Sequence, residues 1–229
     1  MIAGRELRSA FGTAFGFGLV AGFLAFAGLL LVLALRAGAA RLDDWFAWLF
    51  IATGVLAPLL AMRTLADEER AGSLELLLTS PVRTAEVVGG KLLGVVSLFV
   101  LLVIGTLVCP WLVARMGNPD AGPIVTGYVG LVLVGVAFLS VGLAASAATA
   151  NQLVAAAASA GLLLALWFGA GIADGLGDGA VRTVLRYLSP STHVTGFLRG
   201  TLAAGDVAYF VSLAVVGVYA AVAIVEARR

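Results

Sequence analysis

From Ala121 to Ala173 the chain runs 53 consecutive positions without an Asp, Glu, Lys, Arg or His. A helix at the surface of a soluble protein needs a polar face for water and cannot go so long without charge. A membrane-crossing helix needs about 20 apolar residues, because 1.5 Å of rise each must cover about 30 Å of hydrocarbon. The stretch is too long for one crossing and long enough for two. Its only polar break is Thr149-Ala150-Asn151-Gln152, which predicts spans at about 126–148 and 153–172 joined by a tight hairpin.

The remainder of the chain has the same character. Hydrophobic residues make up 62% before the 29 glycines are counted, and only 12% are charged, against about 25% in soluble domains. Four more apolar runs lie at about 14–35, 45–62, 92–113 and 207–225. The expected fold is therefore all-α: one polytopic membrane domain over residues 1–229 with six transmembrane helices. Six crossings consume about 120–130 residues, which leaves no room for a nucleotide-hydrolysing domain. No G-x-x-x-x-G-K-[ST] loop is present, since Gly89-Gly90-Lys91-Leu92 lacks both the first Gly and the Ser/Thr. A formal net charge of +1 offers nothing to a nucleic acid.

Local features refine this picture. Residues 1–12 set Arg5, Glu6 and Arg8 beside Ile2, Leu7 and Phe11, a mix suited to an N-terminal helix lying in the interface. The first apolar run exceeds the roughly 7–15 residues of a secretory signal and reads as a retained span. Gly12, Gly16, Gly18 and Gly22 form small-xxx-small pairs that would let another backbone pack closely. Trp45 and Trp48 suit a membrane–water boundary, and Pro110 would kink or end the third span. With six spans both termini share a side, which holds eight basic residues against six opposite. That asymmetry places the termini in the cytoplasm. None of the expected span interiors carries an ionisable residue, so an intramembrane ion path is not expected.

An enzyme reading fails on missing parts. His193 is the only histidine and makes no metal set with Ser191 and Thr192. Ser189 and Ser191 have no base–acid pair beside them, and Cys109 reads as a small packed residue.

Two connections are longer than a hairpin needs. Residues 63–91 hold four basic and five acidic side chains. There Ser73 could cap a short helix with Leu74, Leu77 and Leu78 on one face, and Pro81 could open the next. This fits either a solvated loop or a charged elbow leading into an amphipathic helix. Residues 173–206 open on the polar stretch Asp174–Gly179 and continue with Val181–Leu188, where Val184, Leu185 and Leu188 oppose Arg182 and Arg186. They fit either a pair of short helices or a packed loop.

The first connection resembles the signature of ABC-2-type transporter permeases, and most closely that of the gliding-motility-associated subfamily. Its residues are Met62-Arg63, Glu68-Glu69, Gly72-Ser73-Leu74-Glu75-Leu76-Leu77-Leu78, Pro81 and Gly90-Lys91. Gly117-Asn118-Pro119, Asn151-Gln152-Leu153-Val154-Ala155 and Arg199-Gly200 ahead of Asp206 agree with it in order along the chain.

The resemblance implies a multi-pass permease of the inner membrane. It would pair with a second copy or a related permease and dock two copies of a separate ABC ATPase, and an accessory envelope protein could join them. ATP and Mg would sit on the ATPase, with no cofactor on this chain. The segment between spans 2 and 3 would be the coupling helix, with Arg63, Gly72, Ser73 and Pro81 framing it. Glu68, Glu69, Arg70 and Glu75 would face the ATPase, and Leu74, Leu77 and Leu78 would fill its groove. Short re-entrant helices between spans 5 and 6 would cap the path. The implied function is the membrane subunit of an exporter. A non-transporting anchor that transmits force to an envelope complex, or a haem-exporter-type permease, are the alternatives.

Overall fold

The computed structural model describes residues 14–36, 42–66, 83–175 and 178–227. Among these residues there is no strand, and the helices are α1 (Ala14–Arg36), α2 (Asp43–Ala61), α3 (Thr84–Gly105), α4 (Val108–Met116), α5 (Ala121–Ala148), α6 (Gln152–Asp174), α7 (Ala180–Leu188), α8 (Pro190–Leu198) and α9 (Ala204–Glu226). Six segments are long and apolar enough to cross a membrane: α1, α2, α3 with α4, α5, α6 and α9. The protein is a multi-pass membrane protein. The interfacial helix read over residues 1–12, with Gly12, lies outside the described residues.

Helix α5 is the axis of the bundle, packed against α2, α3, α6, α8 and most extensively α9. Its glycines make this possible. A Cβ at Gly127 would fall 2.8 Å from the Phe46 ring, one at Gly130 would overlap Phe197, and one at Gly135 would overlap Phe99. On the α9 side, a Cβ at Gly217 would stand 2.8 Å from Ser140. The seated rings Phe46, Phe99 and Phe197 are all fully buried. Lipid tails are as apolar as a side chain, so close van der Waals fit rather than water exclusion holds membrane helices together. Glycine provides that fit by removing the side chain that would keep the neighbour away.

The glycines singled out in the sequence behave differently. Gly16 lies in α1, and nothing in the described chain comes within 4 Å of a Cβ built at Gly18 or Gly22. Helix α1 is peripheral, with Phe23, Ala27 and Leu31 turned inward and Phe17, Leu29, Val32 and Leu33 exposed. One polar tie to the bundle is the Trp45 indole, which donates to the Ala27 carbonyl at 2.9 Å. Trp45 is thus an interior anchor, only 1% exposed, while Trp48 stays 54% exposed.

The third span breaks at Thr106-Leu107, between α3 and α4. Pro110 has no N–H for the Thr106 carbonyl, and the Cys109 N–H takes that carbonyl instead at 2.9 Å. The Thr106 hydroxyl meets Tyr128 at 3.1 Å across the break. The same span starts at Thr84, earlier than the hydropathy edge at Leu92, because Lys91 is buried within the helix rather than ending it. The hairpin between α5 and α6 turns on Asn151, whose side chain accepts from Leu153 N at 3.0 Å and Val154 N at 3.4 Å. That is an N-cap in the usual sense, satisfying donors the first turn leaves open.

Candidate functional site

The elbow between α2 and α3 is described up to Ala66 and again from Arg83. Of the residues assigned to it, Glu68, Glu69, Arg70, Gly72, Ser73, Leu74, Glu75, Leu77, Leu78 and Pro81 lie outside the described residues. The segment at the base of the elbow is described, and α3, α5, α6 and α9 all hold it.

Helix α2 ends at Ala61, and the chain makes a tight turn through Met62–Leu65 in which Thr64 N donates to the Ala61 carbonyl at 3.1 Å. Met62, Thr64, Leu65 and Ala66 are all buried. Backbone groups of a turn buried in a bundle must find partners, and here one side chain of α5 supplies most of them. The Ser146 hydroxyl accepts from Leu65 N at 3.1 Å and from Ala66 N at 3.0 Å, and donates to the Met62 carbonyl at 3.0 Å. A hydroxyl offers one donor and two acceptor positions, so Ser146 is filled.

From α3, the Lys91 ammonium donates to the Thr64 carbonyl at 2.5 Å, with the residue only 2% exposed. Burying an ammonium is costly unless it is hydrogen-bonded, so Lys91 ties α3 to this turn. Arg63 points outward, and its Nε donates to the Gln152 side chain at 3.4 Å, bridging to the start of α6. Beneath the turn, Leu65 packs with Val88, Leu143, Ala147, Ala221 and Val225, which brings in α9. The base of the elbow is therefore fastened at once to α3, α5, α6 and α9.

Of the predicted interface, Arg63 is the residue the structure places, beside Gln152. Lys91 closes the sequence signature, and the structure shows it donating to the Thr64 carbonyl. Ser146 went unnoticed in the sequence, where it is one small residue in the run Ala144-Ala145-Ser146-Ala147-Ala148; no linear pattern marks it.

At the other end of the bundle the connection 175–203 folds as two short helices. Helix α7 has no buried residue, and its Arg182 and Arg186 pair with Asp174, Arg182 also with Asp178. Helix α8 enters the bundle. Its Phe197 sits on Gly130, nine residues into α5, roughly 14 Å at 1.5 Å each. The Thr126 hydroxyl donates to the Phe197 carbonyl at 2.6 Å, and Ser189 to the Trp167 carbonyl at 2.9 Å. Ser189 and Ser191 hydrogen-bond each other at 2.8 Å. Their neighbour His193 bonds Asp206 and the Tyr187 carbonyl. No group of three or more metal-ligating side chains occurs among the described residues.

A family model, that of the ABC-2 family transporter protein, matches residues 14–227. The chain belongs to the ABC-2 transporter family. None of the curated proteins matches it in sequence. ABC-2 permeases are membrane components without an ATPase site of their own, and they usually work with an ABC ATPase.

Proposed function

We propose that this ABC-2 family chain is the permease subunit of an ATP-driven exporter of the inner membrane, closest to the gliding-motility-associated type. Its elbow takes up the motion of a separate ABC ATPase, which binds ATP and magnesium. Two ATPase copies serve a pair of permeases. Glu68, Glu69, Arg70 and Glu75 meet the ATPase surface, and Leu74, Leu77 and Leu78 fill its groove. Both termini lie in the cytoplasm, on the elbow side.

The observation that supports this reading is the fastening of Met62–Ala66. A lever transmits work only if its base is rigid. Ser146 contributes three hydrogen bonds and Lys91 a fourth, on spans that would have to move together. When ATP closes the two ATPases, the elbow would turn α2, α3 and α5 as rigid bodies rather than bend them.

The test is reconstitution of the chain with its ATPase in vesicles. Glu69→Lys and Glu75→Lys together should abolish ATP-driven transport and leave membrane insertion intact. Undiminished transport by that double variant would overturn the assignment of the elbow.

A further inference from the structure

At the cap end one cluster has no part in the elbow's work. His193, on α8, reaches Asp206 in the first turn of α9, with Nδ1 2.8 Å from Oδ1. Its Nε2 lies 2.9 Å from the Tyr187 carbonyl at the end of α7. The ring stacks on Tyr209 with centroids 4.0 Å apart and planes 15° from parallel. The Tyr209 hydroxyl in turn donates to the Leu188 carbonyl at 2.6 Å. Gly196 leaves room for the carboxylate, since a Cβ there would stand 2.9 Å from Asp206 Oδ2. One imidazole thus joins α7, α8 and α9.

The proton count follows from these partners. A carbonyl oxygen can only accept, so Nε2 carries a proton. Nδ1 faces a carboxylate oxygen, and that contact also needs a proton between the two atoms. The pair therefore holds one proton more than a neutral imidazole beside a carboxylate. Asp206 sits in the first turn of α9, at the positive end of the helix macrodipole, and the imidazole lies against the Tyr209 face.

We propose that His193 and Asp206 form a proton-binding site that latches α8 and α7 to the last span, closed while the pair holds its proton. When the proton passes from Nδ1 to water, the pair changes from neutral to a net single negative charge. The Nδ1 lone pair then faces the carboxylate, an attractive contact becomes a repulsive one, and the cap loosens. The two side chains keep 12% and 21% of their surface outside the packed bundle.

No other ionic group competes for the pair among the described residues. Helix α7 brings Tyr187, edge-on at 5.5 Å, while its Arg182 and Arg186 turn to Asp174 and Asp178. Helix α9 brings Asp206 and Tyr209 themselves. The titratable side chains of the other packed helices are Asp174 at the end of α6, Tyr128 on α5 bonded to Thr106, Asp120 at its N-cap, Asp43 and Asp44 at the start of α2, and Glu86 and Lys91 on α3, with Tyr219 and Glu226 farther along α9. Arg199 follows α8. None of these is hydrogen-bonded to His193 or Asp206.

His193 is the only histidine in the chain, so isotope-labelled histidine reports on this site alone. The experiment is magnetic resonance of the labelled full chain in nanodiscs, with amide hydrogen exchange followed over residues 190–198. Both are taken across about pH 5 to 8, where histidines change charge. At the acid end both ring nitrogens should be protonated. As pH rises Nδ1 should lose its proton while Nε2 keeps it, and protection of the α8 amides should fall about tenfold beyond the intrinsic pH effect, the factor of one charge-assisted hydrogen bond. Asp206→Asn keeps the shape without the charge and should flatten both responses. Ring nitrogens that never change state, or a change of state with α8 protection unmoved, would overturn the proposal in the wild-type protein, whatever the variant does. A wild-type response retained in Asp206→Asn would overturn it as well.

Discussion

Replacing Ser146 with alanine isolates the fastening of the elbow in a single atom. The hydroxyl accepts from two buried N–H groups and donates to one buried carbonyl, at 3.1, 3.0 and 3.0 Å. Each buried backbone group left unpaired costs about 1–3 kcal/mol. The Met62 carbonyl keeps a second lone pair for other donors, so the two N–H groups dominate and set a cost of about 2–6 kcal/mol. The turn is at the end of the bundle, where opening admits water, and the lower figure is the one to expect. About 2 kcal/mol corresponds to ~30-fold in the local opening constant. The assay is hydrogen exchange of the whole chain in nanodiscs, comparing residues 62–66 with the centre of α5.

Ser140 provides the control within the same helix. It is equally buried, but its hydroxyl donates only to the Val136 carbonyl one turn back, at 2.7 Å. Its removal frees no group from another segment, and Ser140→Ala should cost less than about 1 kcal/mol. Should Ser146→Ala raise exchange at 62–66 no more than Ser140→Ala does, the turn is not held by Ser146 and the rigid base of the lever is lost with it.

Three further outcomes are expected. Lys91→Met removes the donor to the Thr64 carbonyl, and exchange at residues 62–66 should rise about tenfold. Gly135→Ala pushes a methyl into Phe99 and should destabilise the protomer by about 1–3 kcal/mol, whereas Gly18→Ala and Gly22→Ala meet nothing in the described chain and should leave thermal unfolding unchanged; loss of a crosslinked dimer in those two would identify α1 as a contact between copies. Asn151→Ala removes the cap of α6 and should cost about 1 kcal/mol, read as faster exchange at Leu153 and Val154, while Asn151→Asp keeps it.

How far the molecule can be read from its sequence depends on which physical rule is at work. Crossing hydrocarbon demands a minimum length and forbids unpaired charge, and both conditions are linear properties of a chain. That is why the six spans stand out, and why Thr149–Gln152 reads as a hairpin. Pro110 is legible for the same reason, since its missing N–H is a property of the residue alone. Lys91 is not. A lysine beside an apolar run looks like the end of a span until the Thr64 carbonyl, 27 residues away, accepts its ammonium within the bundle.

Glycines mark the same boundary. A small-xxx-small pair states that a neighbour could come close, without naming the neighbour. The pairs on α1 look as suitable as Gly127, Gly130 and Gly135, yet rings press only on the latter. His193 is read alone in the sequence as a residue lacking ligands or partners. Folding the connection back over α9 brings Asp206 to one ring nitrogen and the Tyr187 carbonyl to the other.

By itself, the amino-acid sequence determined that this chain lives in a membrane, how many times it crosses, and through its signature which family it resembles. Those facts rest on solvent and on residue order. Tertiary structure alone decided which serine holds the elbow, which glycines seat aromatic rings, and that the single histidine carries a carboxylate partner. Each of those depends on atoms distant along the chain meeting within hydrogen-bond or van der Waals reach, and such meetings exist only once the helices have packed.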